Sequence, residues 1–403
     1  MGVGIKAIYL LCLTVVFLTT SGFRNYYYPN KQLHVLLSDP GLAKLQPDEA
    51  LEKKLIELVD NSVSGSIIRM SFFRITSMDL ANSLVSAFKK GVKVRVIVNR
   101  EAESSAIDLL KVNLSGESFI LHCGDSTRKS CMGVGINHNK FAMFSTTKSN
   151  IENLGLVKVE NVTVQTSSNM TSPQQNMFND MIIFYNNLSV YEIYKQYFTD
   201  LKSNVLKPNY FQERMSTPPY GISNENNIDI KFYFFPRNDG ADTIFNVLNN
   251  VKCEKGLSSV RISMAHWKND DRGQMLANKL AELLRMGCNV EILGSKNISD
   301  HGEYATAFHY IKSLSINLIS VPESAKASIH SKLLLVSSKY GDNAEFKELV
   351  FTGSHNFTKD ALSENDETLL KIDDSRVYNQ YLDYWLYMKN QIKDSIDRER
   401  MCI

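Results

Sequence analysis

The sequence predicts an α/β protein of two similar domains related by a pseudo-twofold axis, each a mostly parallel sheet with helices on both faces. Three observations predict this. The chain has 403 residues, too many for one ordinary core and enough for two domains of about 200 residues each. A strand–helix–strand pattern near the start recurs in the second half. Hydrophobic residues make up 43% and charged residues 22%, which is typical of a globular protein and not of a disordered or fibrous one.

The N-terminus has the features of a secretory signal peptide over residues 1–22. Lys6 precedes the apolar run 7–18, and small residues follow that run. An uncleaved signal anchor is the alternative, but the run is shorter than the about 20 residues that span a membrane. No later stretch is long and apolar enough for a span. We therefore expect a secreted, extracellular protein without stable membrane insertion after cleavage.

The first domain is predicted over residues 23–206. A helix opens near Pro47, where leucines recur on one face. Residues 66–73 read as a buried strand, residues 79–90 as a helix, and residues 92–98 as a second strand. Two strands joined through a helix by short links form a βαβ unit, which implies parallel pairing in a sheet covered on both faces.

The second domain, predicted over residues 228–403, repeats this order. Residues 259–264 correspond to residues 67–72, and residues 276–280 to residues 80–84. Matched residues are separated by offsets of 192, 196 and 192, at Arg69 and Arg261, Gly91 and Gly287, and His138 and His330. A nearly constant offset indicates an internal duplication, and two domain-sized copies indicate a monomeric pseudo-dimer rather than a solenoid.

Residues 207–227 are predicted to link the two domains. Proline, glycine and polar residues dominate this segment and disfavour regular structure. Helices predicted over residues 190–203 and 374–390 close the first and the second domain.

Five cysteines remain after the signal peptide, and an oxidising compartment favours their pairing. We predict the pairs Cys123–Cys131 and Cys253–Cys288, with Cys402 left over. Neither Cys-x-x-Cys nor His-Glu-x-x-His spacing occurs, so no metal site is predicted. Glycosylation sequons stand at Asn113, Asn161, Asn169, Asn187, Asn297 and Asn356.

Each half carries the same series of polar residues. In the first half, His138-Asn-Lys140 is followed by Thr166-Ser-Ser-Asn169 and then by Asp180. In the second half, His330-Ser-Lys332 is followed by Gly353-Ser-His-Asn356 and then by Glu367. Asn169 to Asp180 is eleven residues, and so is Asn356 to Glu367. The duplicated series predicts one site at the junction of the two halves.

These residue types fit the chemistry of a phosphodiester. The reaction needs a nucleophile, a proton donor for the leaving oxygen, and donors that hold the non-bridging oxygens. Two imidazoles divide the first two tasks, while two lysines and two asparagines hold the phosphoryl group. This set requires neither a metal nor another cofactor.

The paired motifs resemble those of the phospholipase D superfamily, and the block Val350–Thr358 looks especially like its secreted bacterial-type members. The resemblance covers roughly residues 48–205 and 228–390. It implies a pseudo-twofold α/β enzyme with a phosphohistidine intermediate, the nucleophile on His138 and the general acid on His330. The sequence departs from the family pattern at Ser145 and Ser337, where the motif has an aspartate thought to be structural, and at Thr166, where glycine is usual.

We accordingly place catalytic roles on His138, Lys140, Asn169, His330, Lys332, Asn356 and Glu367. Substrate-binding roles are predicted for Ser167, Ser354, His266 and Asp180; His266 follows the strand matched to residues 67–72, where connecting loops line a cleft. His355 either faces the site or points away along its strand. Because Asn169 and Asn356 are also sequons, we expect both to be free of glycan.

The leading hypothesis is a secreted phosphodiesterase that hydrolyses a phospholipid headgroup bond. The same chemistry on nucleic acid is the first alternative, which the nearly neutral net charge of +2 disfavours slightly. A binding protein on a catalytically degenerate scaffold is the second; the two missing aspartates favour it, whereas both intact His-x-Lys pairs oppose it.

Overall fold

The computed structural model describes residues 25–29, 32–42, 46–151 and 153–401. The predicted signal peptide and Cys402 lie outside these residues. Within these ranges, every helix is too short or too polar to cross a membrane. Both predicted disulfides are confirmed: Cα–Cα distances are 4.4 Å for Cys123–Cys131 and 5.0 Å for Cys253–Cys288.

The first half forms one eight-stranded sheet with the strand order β1-β2-β9-β7-β6-β3-β4-β5. Its elements are β1 (Asn25–Tyr28), β2 (Leu33–Leu37), α1 (Ala50–Asp60), β3 (Ile67–Phe72), α2 (Met78–Lys89), β4 (Lys93–Val98), α3 (Ser105–Asn113), β5 (Phe119–His122), β6 (Lys140–Ile151), β7 (Gly155–Thr166), β8 (Met177–Phe178), β9 (Asp180–Phe184) and α4 (Leu188–Ser203). Ser77 and Ser104 accept backbone N–H groups at the starts of α2 and α3, which explains where both helices begin.

The second half repeats this layout, with the strand order β10-β11-β19-β18-β17-β13-β14-β15. Its elements are α5 (Tyr210–Ser216), β10 (Ile222–Ser223), β11 (Asp229–Phe234), α6 (Thr243–Asn249), β12 (Val251–Lys252), β13 (Ser259–Met264), α7 (Asp271–Arg285), β14 (Asn289–Gly294), α8 (Ala305–Ser313), β15 (Asn317–Ser320), β16 (Ser328–Ile329), β17 (Lys332–Tyr340), β18 (Glu345–Gly353), α9 (Lys359–Ser363), β19 (Thr368–Asp373) and α10 (Ser375–Met401). The segment predicted as a linker thus contains α5 and β10, and Tyr210 within it is fully buried.

The duplicated two-domain α/β architecture is confirmed, but the sheets are mixed and not mostly parallel. Parallel pairing within them is confined to β3–β4–β5 and β13–β14–β15, the strands joined through helices. The neighbouring strands β6 and β7, like β17 and β18, are joined by short turns and therefore pair antiparallel. The βαβ pattern correctly predicted the parallel strands β3 and β4, and its extension to the rest of the sheet was wrong.

Helices cover both faces of each sheet, as predicted. Helices α1 to α3 bury the outer face of the first sheet, whereas α4 and α10 contribute to a central core shared by both halves. Tyr194 of α4 packs its ring 5.4 Å from that of Phe232 in the second half. In return, Tyr384 of α10 donates to the carbonyl of Ser38 at 2.8 Å. The shared core fixes the two halves against each other.

The strand register places the two His-x-Lys motifs equivalently. Lys140, the first residue of β6, lies opposite Phe72 at the end of β3. Lys332, the first residue of β17, lies opposite Met264 at the end of β13. Both motifs therefore stand where the parallel strands β3 and β13 end, the edge at which α/β sheets commonly build their sites.

Candidate active site

The two His-x-Lys motifs share one local geometry. The Lys140 ammonium donates to the carbonyl of His138 at 2.7 Å, and the Lys332 ammonium donates to that of His330 at 2.6 Å. Both lysine side chains are buried. The Lys140 ammonium retains two further N–H donors, whereas the Lys332 ammonium also lies 3.0 Å from Nδ1 and 3.2 Å from Nε2 of His330.

Each histidine is fixed by backbone from the other half. The amide of His138 donates to the carbonyl of Asp366 at 3.0 Å, and the amide of His330 donates to that of Phe178 at 3.0 Å. The short strands β8 and β16 pair in parallel beside the second of these contacts. The predicted junction of the two halves is therefore where both imidazoles are held.

The His138 imidazole is paired with the carboxylate of Glu367. Its Nδ1 lies 2.8 Å from Oε1 and 3.0 Å from Oε2. Glu367 also accepts hydrogen bonds from the Ser354 hydroxyl and, at 3.3 Å, from the Asn365 amide. An imidazole held through Nδ1 presents Nε2 for bonding to a substrate, and the carboxylate fixes that orientation.

The first-half counterpart of Glu367 is Asn179, and the predicted equivalence of Asp180 and Glu367 is wrong. Ser167 donates its backbone N–H to the carbonyl of Asp180, whereas Ser354 donates the matching bond to Thr368. Asp180 therefore matches Thr368, and Asn179 precedes it as Glu367 precedes Thr368. Asn169 and Asn179 are ten residues apart, against eleven for Asn356 and Glu367. Counting eleven in both halves shifts the match by one.

The His330 imidazole consequently has no carboxylate among its hydrogen-bond partners, and the Lys332 ammonium lies 3.0 Å from its Nδ1. Its Nδ1 lies 3.1 Å from the Asn179 side-chain oxygen and 3.1 Å from the carbonyl of Ser167. The Asp180 carboxylate instead accepts hydroxyl groups of Thr352 at 2.5 Å and Tyr381 at 2.9 Å. The two imidazoles thus differ: one is paired with a carboxylate, and the other with an amide.

The serines predicted to bind substrate contact these partners instead. Ser167 donates its hydroxyl to the side-chain oxygen of Asn179 at 3.0 Å, as Ser354 does to Glu367. Ser145, at the position of the first missing aspartate, accepts the backbone N–H of Ile67 at 2.8 Å. A hydroxyl therefore supplies the structural link between β3 and β6 at this position.

Asn169 and Asn356 are matched side-chain amides of the two halves, and the oxygen of each has no hydrogen-bond partner within the described residues. Asn169 and Asn356 follow β7 and β18, and each is 8% exposed. The Oδ1 atom of each lies buried and unpaired within the described part of the chain. Buried polar atoms are normally satisfied, so the repeated exception shows that neither amide is held by its oxygen; its Nδ2 group is the atom that could donate to a phosphoryl oxygen.

Burial sets the charge of the site. It lowers the pKa of Lys140 to about 7 and lowers that of Lys332 as well. The pKa of His138 is lowered by burial and by both lysine charges, whereas burial raises the pKa of Glu367 to about 8. The lowered pKa favours a neutral imidazole and the raised pKa favours a protonated carboxyl group. His138 and Glu367 are therefore expected to share one proton rather than form a separated ion pair. Burial and the Lys332 charge lower the pKa of His330.

His266 lies at the site, whereas the His355 side chain packs beneath it, against Phe235 and Arg272. Burial and, to a smaller extent, the charge of Lys332 lower the pKa of His266 to about 3. The His266 Nδ1 lies 3.3 Å from the Asn297 amide nitrogen. His355 points away: it stacks on Phe235 at 4.2 Å between ring centroids and accepts a hydrogen bond from Arg272 at 3.0 Å.

Three further residues at the site were missed by sequence reasoning. Buried Arg272 donates to the carbonyl of Asn356 at 3.2 Å and pairs with Asp242. The Phe73 ring lies 5.4 Å from that of His138, and the Arg74 guanidinium lies 5.0 Å from the Phe73 ring. The sequence contained a usable signal for these two residues. Phe73 and Arg74 directly follow β3, and Arg74 stands 192 residues before His266, which follows β13.

One cluster of metal-type side chains occurs in the described ranges, formed by Cys123, Cys131 and Asp366. The two cysteines form a disulfide, and their sulfurs are therefore not thiolate ligands. This cluster does not fit a metal ion.

Comparison with solved structures shows the same fold in enzymes of low sequence identity. Phosphatidylserine synthase from Haemophilus influenzae Rd KW20 is 13% identical, with a TM-score of 0.60 over 91% of this chain and 87% of that one. Polyphosphate kinase from Porphyromonas gingivalis is 13% identical, with a TM-score of 0.52 over 88% of this chain and 49% of that one. Identities this low show the fold alone.

Sequence comparison identifies the family. No curated protein matches the chain. A family model described as "Cardiolipin synthase, PLD-like domain" matches residues 55–202 and again residues 244–388. These two matches cover both halves and most of the chain. With its paired motifs at one junction, the chain belongs to the phospholipase D superfamily, whose members process phosphodiesters.

Proposed function

We propose that this protein is a secreted phosphodiesterase of the phospholipase D type that hydrolyses a phospholipid headgroup bond. The observation that carries the proposal is the pair of unequal imidazoles at one junction, His138 bound to a carboxylate and His330 to an amide. A displacement through a covalent intermediate needs this inequality, because one imidazole must bond to phosphorus while the other carries protons.

In the first step, Nε2 of His138 attacks phosphorus. An N–P bond forms, the bond from phosphorus to the leaving oxygen breaks, and protonated His330 gives its proton to that oxygen. Burial and the Lys332 charge lower the pKa of His330 in the free protein, and the negative charge of the bound phosphodiester opposes this shift and favours the protonated form. Positive charge develops on the His138 imidazole, and the Glu367 carboxylate stabilises it through the Nδ1–H bond. In its reactive form the pair therefore keeps its proton on Nδ1.

In the second step, water attacks phosphorus and the N–P bond breaks. His330, now neutral, takes the proton from this water and is ready for another cycle. Lys140, Lys332, Asn169 and Asn356 supply the donors for the non-bridging oxygens in both steps. The charges of the two lysines and the amide N–H dipoles of the two asparagines provide the electrostatic stabilisation that phosphoryl transfer requires, and no step needs a metal.

Nucleic acid is the second candidate substrate, and one observation favours it. The partly exposed Phe73 ring beside His138 carries the Arg74 guanidinium at 5.0 Å. An aromatic ring together with an arginine provides a surface on which nucleobases stack. A headgroup ammonium also fits an aromatic ring, through a cation–π contact. Phe73 therefore lies where either substrate would be recognised.

The test is a paired assay without added metal on phosphatidylcholine or phosphatidylglycerol liposomes and on single-stranded DNA. Headgroup release that His138→Ala and His330→Ala both abolish supports the lipid substrate; DNA cleavage with the same loss supports the nuclease instead. His309→Ala, at an exposed histidine of α8, is the matched control and should keep full activity. No turnover of either substrate would favour a binding protein on this scaffold.

A further inference from the structure

A buried carboxylate that the reaction does not use lies next to Glu367. Asp366 is fully buried and accepts three consecutive backbone N–H groups. These come from Cys131 at 2.6 Å, Met132 at 3.1 Å and Gly133 at 2.9 Å. Successive amides around one anion form a nest, and bonds of this kind to a charged acceptor are among the stronger ones in proteins.

The nest continues as a ladder of bonds that ends at His138. Gly135 donates its N–H to the carbonyl of Glu364 at 2.8 Å, and Asp366 donates its N–H to that of Ile136 at 3.0 Å. The His138 amide then donates to the carbonyl of Asp366 at 3.0 Å. Asp366 therefore joins the segment that ends in the nucleophile to the segment that carries its carboxylate partner.

Glycine allows the two segments to approach this closely. A Cβ atom at Gly133 would lie 1.9 Å from the carbonyl oxygen of Glu364, and one at Gly135 would lie 2.3 Å from the side-chain oxygen of Asn365. Both distances are far inside van der Waals contact. The nest is therefore a close-fitting contact between backbones and not a loop resting on a surface.

The outer side of the nest is anchored so that its N–H groups point inward. The carbonyl of Cys131 accepts from Arg128 at 2.7 Å, and that of Met132 accepts from the amide of Lys207 at 2.8 Å. The Asn204 side chain bonds to both backbone groups of Gly124, at 2.7 Å and 2.9 Å. The Cys123–Cys131 disulfide closes the loop between these anchors.

The other half has no such nest at the equivalent position. There the counterpart of Asp366 is Phe178, whose carbonyl accepts the amides of His330 at 3.0 Å and Ser331 at 2.9 Å. Its side chain is buried in the central core. Apolar packing thus anchors the His330 half, whereas a buried carboxyl group seated in three N–H groups and a disulfide-closed loop anchor the His138 half.

We propose that Asp366 is a positioning residue for the His138–Glu367 pair, and that the Cys123–Cys131 disulfide maintains the nest in which Asp366 is seated. The catalytic consequence rests on the proposed function; the structural consequence does not. Loss of the carboxylate or of the loop closure should loosen the bond between Nδ1 of His138 and Glu367, while leaving the lysines and asparagines that hold phosphate in place.

The first test reads the pair directly, in the free protein. A hydrogen-bonded Nδ1 proton on His138 gives a downfield proton resonance, which is assigned by its loss in His138→Ala. We expect Asp366→Asn, which replaces one of the two acceptor oxygens of the nest with an amide nitrogen, to broaden or abolish it. Cys123→Ala/Cys131→Ala should act in the same way. Cys253→Ala/Cys288→Ala, which removes the other disulfide, is the matched control and should keep the resonance.

The second test uses bis(4-nitrophenyl) phosphate. We expect kcat to fall at least tenfold in Asp366→Asn with KM within twofold of its original value. A resonance and a kcat unchanged in Asp366→Asn would overturn the proposal, and so would equal losses in both disulfide variants. Circular dichroism checks that each variant folds. If Cys123→Ala/Cys131→Ala does not fold, the result for Asp366→Asn alone decides the proposal. A wild-type protein inactive on this ester would count against the proposed function, while the resonance still tests the positioning role.

Discussion

Replacing Glu367 by glutamine tests the asymmetry of the site most sharply. The substitution keeps the size of the side chain and one acceptor oxygen for Nδ1 of His138, now 2.8 Å from Oε1. It removes the negative charge that balances the imidazole as the N–P bond forms. The amide nitrogen then occupies the position of Oε2 and donates to the Ser354 oxygen, which reverses that hydrogen bond. We therefore expect a folded protein with a weaker nucleophile.

The size of the effect follows from the burial of the pair. A hydrogen bond to a charged group contributes up to about 3 kcal/mol and a neutral one about 1 kcal/mol, so the exchange costs about 2 kcal/mol. Glu367 is fully buried, which supports the upper value for the charged bond. Because each 1.36 kcal/mol of activation free energy is a factor of ten, kcat should fall about 30-fold.

The assay is steady-state hydrolysis of bis(4-nitrophenyl) phosphate, with kcat and KM determined separately. KM should stay nearly constant, since the groups that hold phosphate are unchanged. Glu345→Gln, which removes a 65% exposed carboxylate near Lys347, is the control and should leave both constants unchanged. A kcat for Glu367→Gln within threefold of the wild-type value would refute the assignment of His138 and Glu367 as the reacting pair.

Three further predictions concern charge and access. Asn179→Asp places a carboxylate beside His330 and should raise the pKa of that imidazole by about one unit or more, measured by NMR titration; an unchanged pKa would contradict the contact. Burial lowers the pKa of Lys140 to about 7, so its positive charge is lost as pH rises through 7, and KM should increase between pH 6 and pH 8. A Lys140→Met variant should have a high KM that does not change over this range. A wild-type KM that stays constant between pH 6 and pH 8 would count against the role of this cation. Peptide mapping after expression in a glycosylating host should find no glycan on Asn169 or Asn356, because each is only 8% exposed; high occupancy at either would exclude it from the site.

The sequence predicted the features that depend on local or repeated patterns. The duplication was visible because the strand–helix–strand order and the His-x-Lys spacing recur at nearly one offset. The two disulfides were predicted because each pair flanks a short loop or joins neighbouring elements. The α/β class followed from hydrophobic patterns that buried strands and amphipathic helices impose.

The features that depend on contacts between distant segments were not predictable. The pairing of His138 with Glu367 joins positions 229 residues apart, and no local pattern specifies it. The segment between Asn169 and Asn179 is one residue shorter than the segment between Asn356 and Glu367. A count of eleven residues therefore reached Asp180 instead of Asn179. Mixed sheet pairing was missed because apolar strands look alike whether their neighbours run parallel or antiparallel. The roles of Arg272 and Asp366 depend on carbonyl and amide groups that any residue type supplies.

The central claim is that His138 bonds covalently to phosphorus while His330 moves protons. With bis(4-nitrophenyl) phosphate the leaving group needs no proton, so His330→Ala should complete the first step and stall at the second. Samples quenched in alkaline detergent, because a phosphohistidine hydrolyses in acid, would be mapped by mass spectrometry. We predict a burst of nitrophenolate and a phosphoryl adduct on His138. An adduct on His330 in the matched His138→Ala variant, with none on His138, would reverse the roles, and no adduct on either would contradict the covalent mechanism.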